Sequence, residues 1–278
     1  MSSEPRPSAL GLKVANIVSY FLFTSSNVYS ALGGHARHTG GPSETYLTPA
    51  AWLFSVWYVI NMLFLGLLFY QFTERGGLVV AKTLGWRFPA LFVLNAACNT
   101  LYAVEGSRAA YIAAFVVLWL VAGIVSHLYG TLRMEPEPET WAQTLFVHLP
   151  ISLYHGFVVV IFFVAAFAAA GVDADTHPAG AFTMVFVFAT LFFLESTAAG
   201  YVFYGNGDLA GASVISLGLL AIAQHQQKSR FVHWSALVFF VISTMAVIRA
   251  AVAVSHTRRV DQLVGATDEE TAPFAPPQ

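Results

Sequence analysis

His148 to Phe157 read HLPISLYHGF, inside a long apolar run that extends from about residue 143 to 170. A proline, two histidines, a serine and a tyrosine stand there where a lipid-facing helix would carry leucine and valine. Bilayer hydrocarbon offers polar groups no water, so such residues turn toward other helices, a cavity or a ligand. Pro150 lacks a backbone N–H and its ring crowds the preceding turn, which predicts a bend or opening near residues 146–150.

The rest of the chain places that run in a membrane protein. Its 278 residues are 57% hydrophobic and 10% charged, with mean hydropathy +0.65. A soluble domain carries roughly 25% charged residues. A net charge of −2 without a basic block argues against a nucleic-acid partner. Cys98, the single cysteine, excludes a disulfide framework and a cysteine-based metal site. The first apolar stretch contains Ser25, Ser26 and Asn27 and lacks a small-x-small cleavage pattern, so it reads as a first span, not a signal peptide.

A spanning helix needs about 20 mostly apolar residues. That criterion gives an all-α, polytopic transmembrane helical bundle of about eight spans, near 14–31, 49–72, 88–105, 109–129, 143–170, 181–204, 209–225 and 233–254. The first, rich in Ser and Asn, and the seventh, short and ending in Gln224-His225-Gln226-Gln227, are the weakest, so seven spans is the alternative. Residues 1–12 and 257–278 read as disordered tails, the latter polar and Pro-rich at its end. With eight spans, Arg6, Lys13, Arg75, Lys82, Arg87, Arg133, Arg258 and Arg259 fall on one side. Arg37, Arg108, Lys228 and Arg230 fall on the other. The larger basic set predicts that both termini are cytoplasmic.

Within residues 13–172 the motifs resemble the TspO/translocator protein family, also called tryptophan-rich sensory proteins. Thr48, Pro49, Ala50, Trp52, Phe54, Ser55 and Trp57 match its T-P-A-G-W-x-F-S-I-W segment, with Ala51 in place of the glycine. Leu94-Asn95 is similar to its L-N-x-x-W, with Cys98 in place of the tryptophan. Leu149, Pro150, Ser152, Leu153, Tyr154 and Gly156 match P-F-S-L-Y-x-G-W and the residue before it, with Phe157 in place of the tryptophan. The resemblance implies a five-helix unit with an inter-helix pocket for a tetrapyrrole or sterol-like ligand. It also implies a sensory, regulatory or ligand-handling role, and it alone admits a homodimer. No cofactor is implied beyond a tetrapyrrole held as ligand. Residues 178–256 would be an additional three-helix unit.

Helical periodicity supplies an independent reading, because residues three, four and seven apart share a face. His148, Ser152 and His155 lie on one stripe. So do Phe54, Trp57 and Asn61; Asn95, Cys98, Asn99 and Tyr102; and Phe23, Ser26, Asn27 and Ser30. If the stripes converge, they line a small amphiphilic cavity suited to a planar ligand with polar edges. Trp57, Asn61, Asn95, Tyr154 and His155 are then the ligand-binding candidates, Trp57 supplying a flat face and Asn95 and His155 orienting polar groups. The bland alternative is that these side chains hold helices together. His148 and His155 are separated by about 10.5 Å of helical rise, too far to bind one metal ion. No nucleophile or acidic partner stands at a spacing suited to a membrane enzyme.

Glu195, midway along the sixth span, requires a proton, a partner or water. Paired with Arg249 it would be the charge site of a proton-coupled transporter, the alternative function. Val125, Tyr129 and Arg133 fit a loose cholesterol-contact pattern that carries little weight. The expected partners are membrane lipid and a small hydrophobic ligand.

Overall fold

The computed structural model describes residues 7–32, 44–103, 107–135, 138, 140–174, 179–204 and 207–270, and these contain helices and no strands. In chain order the helices are α1 (Pro7–Leu32), a short 3-10 turn (Ala51–Phe54) leading into α2 (Ser55–Tyr70), and α3 (Glu74–Val79), prolonged by a π-helical stretch (Val80–Leu84). Then follow α4 (Arg87–Tyr102), α5 (Arg108–Met134) and α6 (Trp141–Gln143), which passes through a π-helical stretch (Thr144–His148) into α7 (Leu149–Ala169). The chain ends with α8 (Ala181–Phe203), α9 (Leu209–His225) and α10 (Arg230–Glu270).

A helix stands at each of the eight expected positions. Five helical segments are long and apolar enough to cross a membrane: Ala51–Tyr70, Arg108–Met134, Trp141–Ala169, Ala181–Phe203 and Arg230–His256. Glu74–Leu84 and Arg87–Tyr102 pass the same test as a pair, bent by 70°. The bend falls at Gly85, whose φ of +54° lies in the left-handed region that favours glycine. At 17 residues, α9 is short of a full span. Phe182, Phe186, Phe192, Trp234, Met245 and Val252 are exposed on α8 and α10, as a lipid-facing surface requires.

Helix reaches into both of the expected tails. α1 begins at Pro7, because proline is well tolerated in a first helical turn. At the other end α10 runs to Glu270, since no proline interrupts the chain before Pro273 and residues such as Gln262, Leu263 and Glu269 are good helix formers. Residues 1–6 and 271–278 lie outside the described residues.

The segment from Trp141 to Ala169 is 56% buried over its most apolar window, whereas no other spanning candidate exceeds 28%. It is the central post of the bundle. The opening expected at Pro150 takes the form of the π turn Thr144–His148, whose wider ring lets the chain pass the proline without an α-helical N–H at that position. Gly66 of α2 lies directly under the Phe146 ring, so α2 closes onto this turn.

α9 seats on α7 by backbone approach. A Cβ on Gly156 would stand 2.6 Å from the Gly211 carbonyl oxygen, and one on Gly218 would stand 2.8 Å from Val160 Cγ2. Small residues at such crossings let membrane helices gain dispersion contacts that larger side chains would block. Leu219, Ile215 and Ile222 thereby join the same buried cluster as Ile151, Val160 and Val164. The three helices after residue 180 share a core with the helices before it.

A second junction ties the segment before α2 to the far end of α9. Gln226 Nε2 donates to the carbonyl oxygens of Thr45 (2.9 Å) and Thr48 (3.1 Å), while His225 Nε2 lies 2.5 Å from Glu44 Oε1. The Ala50 amide donates to Ala221 O at 2.9 Å, and Trp52 Nε1 donates to Gln224 Oε1 at 2.7 Å.

Gly156→Val should force α7 and α9 apart and cost about 1–3 kcal/mol. Gly123→Val, where a Cβ meets nothing within 4 Å, should change stability by no more than about 0.5 kcal/mol. Thermal unfolding of the purified protein in detergent checks both.

Candidate functional site

α7 carries two differently employed faces. On one, Tyr154 is buried against an aromatic cluster. Its ring centroid lies 5.2 Å from that of Trp57 and 5.7 Å from that of Phe64. Trp57 also stacks on Phe157 at 5.3 Å and meets Phe23 edge-on at 5.6 Å. Asn95 Nδ2 donates to the Tyr154 hydroxyl at 2.5 Å and to Leu91 O at 2.6 Å. Asn61 turns back on its own helix, donating to Trp57 O at 2.7 Å, and its Oδ1 is buried without a partner. Trp57, Asn61, Asn95 and Tyr154 are thus brought together, as a packed cluster. Beside them Asn99 donates to Ser26 Oγ (3.1 Å) and Asn27 Oδ1 (2.9 Å), so the stripes of α1 and α4 meet each other.

The other face holds the polar residues of the opening phrase. Ser152 Oγ lies 2.7 and 2.6 Å from the two carboxylate oxygens of Asp208. His155 is turned away from Tyr154, between Ser126 Oγ, 2.9 Å from Nε2, and the Tyr201 hydroxyl at Nδ1. A phenol that donates to Nδ1 leaves Nε2–H to donate to Ser126. The Tyr129 ring covers the imidazole at 4.5 Å, nearly parallel to it.

Asp208 is the buried polar centre of this face, and the sequence reading passed over it. It is buried at the N-terminus of α9, where it accepts from the amides of Ala210 (3.0 Å) and Gly211 (3.1 Å). The Tyr129 hydroxyl donates to it at 2.9 Å. A carboxylate at a helix start satisfies orphan amides and meets the positive end of the helix dipole. Gly207, with φ of +67°, makes the turn that presents it. The signal was present: an Asp immediately before an apolar run marks a helix N-cap.

Beside Asp208 opens a cleft of about 740 Å³ between α5, the π turn, α7, α8, α9 and α10. Leu132, Leu149, Ile151, Val202, Phe203 and Val254 supply apolar wall, and Arg133, His148, Ser152, Asp208 and Arg249 supply polar groups. Arg133 donates to Tyr204 O (3.2 Å) and Gly207 O (3.4 Å), at the C-terminal end of α8. His148 Nε2 is buried without a hydrogen-bond partner. Trp57, Asn61, Asn95, Tyr154 and His155 do not line this cleft, although His155 lies one layer behind Ser152 and Tyr129. Arg249 lines it and Glu195 does not, and no ion pair joins the two among the described residues. No group of three or more His, Cys, Asp or Glu suited to a metal ion occurs among the described residues.

Apolar helices with lipid-facing phenylalanines around a polar-centred core define an integral, multi-pass membrane protein of α-helical type. The sequence profile of the TSPO-like protein family matches residues 13–251, and the chain belongs to that family. The match runs through α8, α9 and much of α10, beyond the five-helix stretch that carries the short motifs. No curated protein and no solved structure matches the chain.

Asp208→Ala strips four donors of their acceptor and removes a helix cap. It should cost about 2–4 kcal/mol, combining cap loss with buried unsatisfied groups. Ser152→Ala removes one donor and should cost about 1 kcal/mol. The ordering of the two thermal midpoints in detergent is the check.

Proposed function

We propose that this chain is a non-enzymatic, ligand-binding membrane protein whose cleft takes a flat, mostly apolar molecule of the tetrapyrrole or sterol class, in a sensory or ligand-handling role. The observation that carries this reading is the cleft itself. Its volume of about 740 Å³ lies within the range of roughly 300–1,000 Å³ typical of small-molecule sites. Its walls are aliphatic and aromatic, and three of its polar groups, Arg133, Ser152 and Asp208, are held in place by hydrogen bonds. That combination orients an amphiphile by its polar edge while burying its body.

Membership of the TSPO-like family supports the ligand class, and the cleft supports a location. The location includes the helices after residue 180, and the aromatic cluster around Trp57 and Tyr154 acts as the floor on which α7 is held. The excess of basic residues on the side of Arg133 supports a cytoplasmic location for that end of the bundle. The transport alternative rested on Glu195 paired with Arg249, and no observation favours it.

Titration of the protein in phosphatidylcholine nanodiscs with protoporphyrin and with cholesterol tests the reading. Saturable binding of at least one is expected, weakened about tenfold or more by Ala250→Trp, which fills the cleft. Trp57→Phe should change affinity by no more than about threefold. Absence of saturable binding for both ligands overturns the proposal. So does binding abolished by Trp57→Phe and indifferent to Ala250→Trp.

A further inference from the structure

We infer that the cleft selects a carboxylate-bearing ligand over its neutral counterpart, with Arg249 as the residue that receives the carboxylate. This inference rests on the ligand-binding reading of the same cleft and names the chemistry of the group it recognises.

The argument is an inventory of charge. Two guanidinium groups, Arg133 and Arg249, line the cleft against a single carboxylate, Asp208. Asp208 is already saturated. Tyr129, Ser152 and the amides of Ala210 and Gly211 occupy its lone pairs, and the start of α9 offsets its charge. The nearby Glu135 accepts from Thr83 Oγ1 at 2.5 Å and is not part of the lining. Neither arginine makes an ion pair among the described residues. Arg133 spends two N–H groups on carbonyl oxygens, which are neutral acceptors. Arg249 makes no hydrogen bond among the described residues, and His148 Nε2 is a buried nitrogen without a partner.

A positively charged cleft in an apolar surround favours an anion, and a planar guanidinium fork matches a carboxylate with two parallel hydrogen bonds. Arg249 stands on α10, the outermost of these helices, with Ala250 and Val254 beside it in the lining. It is placed to close over the acidic edge of a ligand whose body lies along α7. Arg133 and His148 border the same polar end from α5 and the π turn. A dicarboxylic tetrapyrrole or an acidic sterol fits this arrangement, and an uncharged sterol leaves the arginine without an anion.

The test compares pairs that differ only in the acid: protoporphyrin IX with its dimethyl ester, and cholesteryl hemisuccinate with cholesterol, each titrated against the full chain in phosphatidylcholine nanodiscs. Charged hydrogen bonds predict that an acid binds about ten- to a hundredfold more tightly than its neutral partner. The pair that shows the preference separates a tetrapyrrole from a sterol source. Arg249→Gln should collapse the preference to within about threefold, chiefly by weakening the binding of the acid. Equal binding of acid and neutral forms overturns this inference and leaves the cleft reading standing. A preference that survives Arg249→Gln also overturns it. Failure of all four ligands to bind overturns the cleft reading itself.

Discussion

A carboxylate taken out of water must be met by donors, and Asp208 is met by four, from three helices. Much of the bundle is arranged by that requirement. Tyr129 fixes the rotation of α5, Ser152 fixes that of α7, and the two amides fix the start of α9. In a surrounding of low dielectric each of these bonds is stronger than it would be in water, and each unmade one costs more. α9 needs the anchor, because 17 residues give it little length with which to hold a position in a bilayer by hydrophobic matching.

α7 is the element through which this constraint reaches the rest of the molecule. Its π turn absorbs Pro150, and its Gly156 admits α9 at backbone distance. Its Tyr154 face closes an aromatic cluster with α2 and α4. Its Ser152 and His155 face belongs to α5, α8 and α9. A helix that is polar on one side and aromatic on another thus has no side left to offer lipid over most of its length. The cleft forms where the polar face runs out, at the end beyond Ser152, where His148 has no hydrogen-bond partner.

Much of the fold was legible in the sequence because long apolar runs and the breaks between them determine membrane helices with little ambiguity. All eight expected positions carry helices, and the two weakest, near 14–31 and 209–225, are ones that do not meet the length and apolarity of a full span alone. The stripes were legible as faces but not as partners. Asn99 finds Ser26 and Asn27, which lie on another of the stripes, whereas His155 finds Tyr201, which lies on none of them. The cleft was the least visible part. Its charged lining is assembled from a loop aspartate, the last turns of α5 and the outer helix α10, and each of these reads locally as an ordinary helix end or surface charge. Helix enters both expected tails for a related reason: polar composition lowers burial, but it does not stop a helix that continues from an apolar span.

The junction between Gln226 and the segment at Thr45 and Thr48 also has a temporal side. The partners are 181 and 178 residues apart. During synthesis the carbonyls of Thr45 and Thr48 emerge long before the amide that will donate to them, and water or lipid headgroups must hold them meanwhile. Contacts of such sequence separation form late, because the intervening chain has to be ordered first. The entrance to α2 therefore acquires its final fastening only after α9 has been made and inserted, and a chain halted before residue 226 would have most of its helices but an unfinished first half.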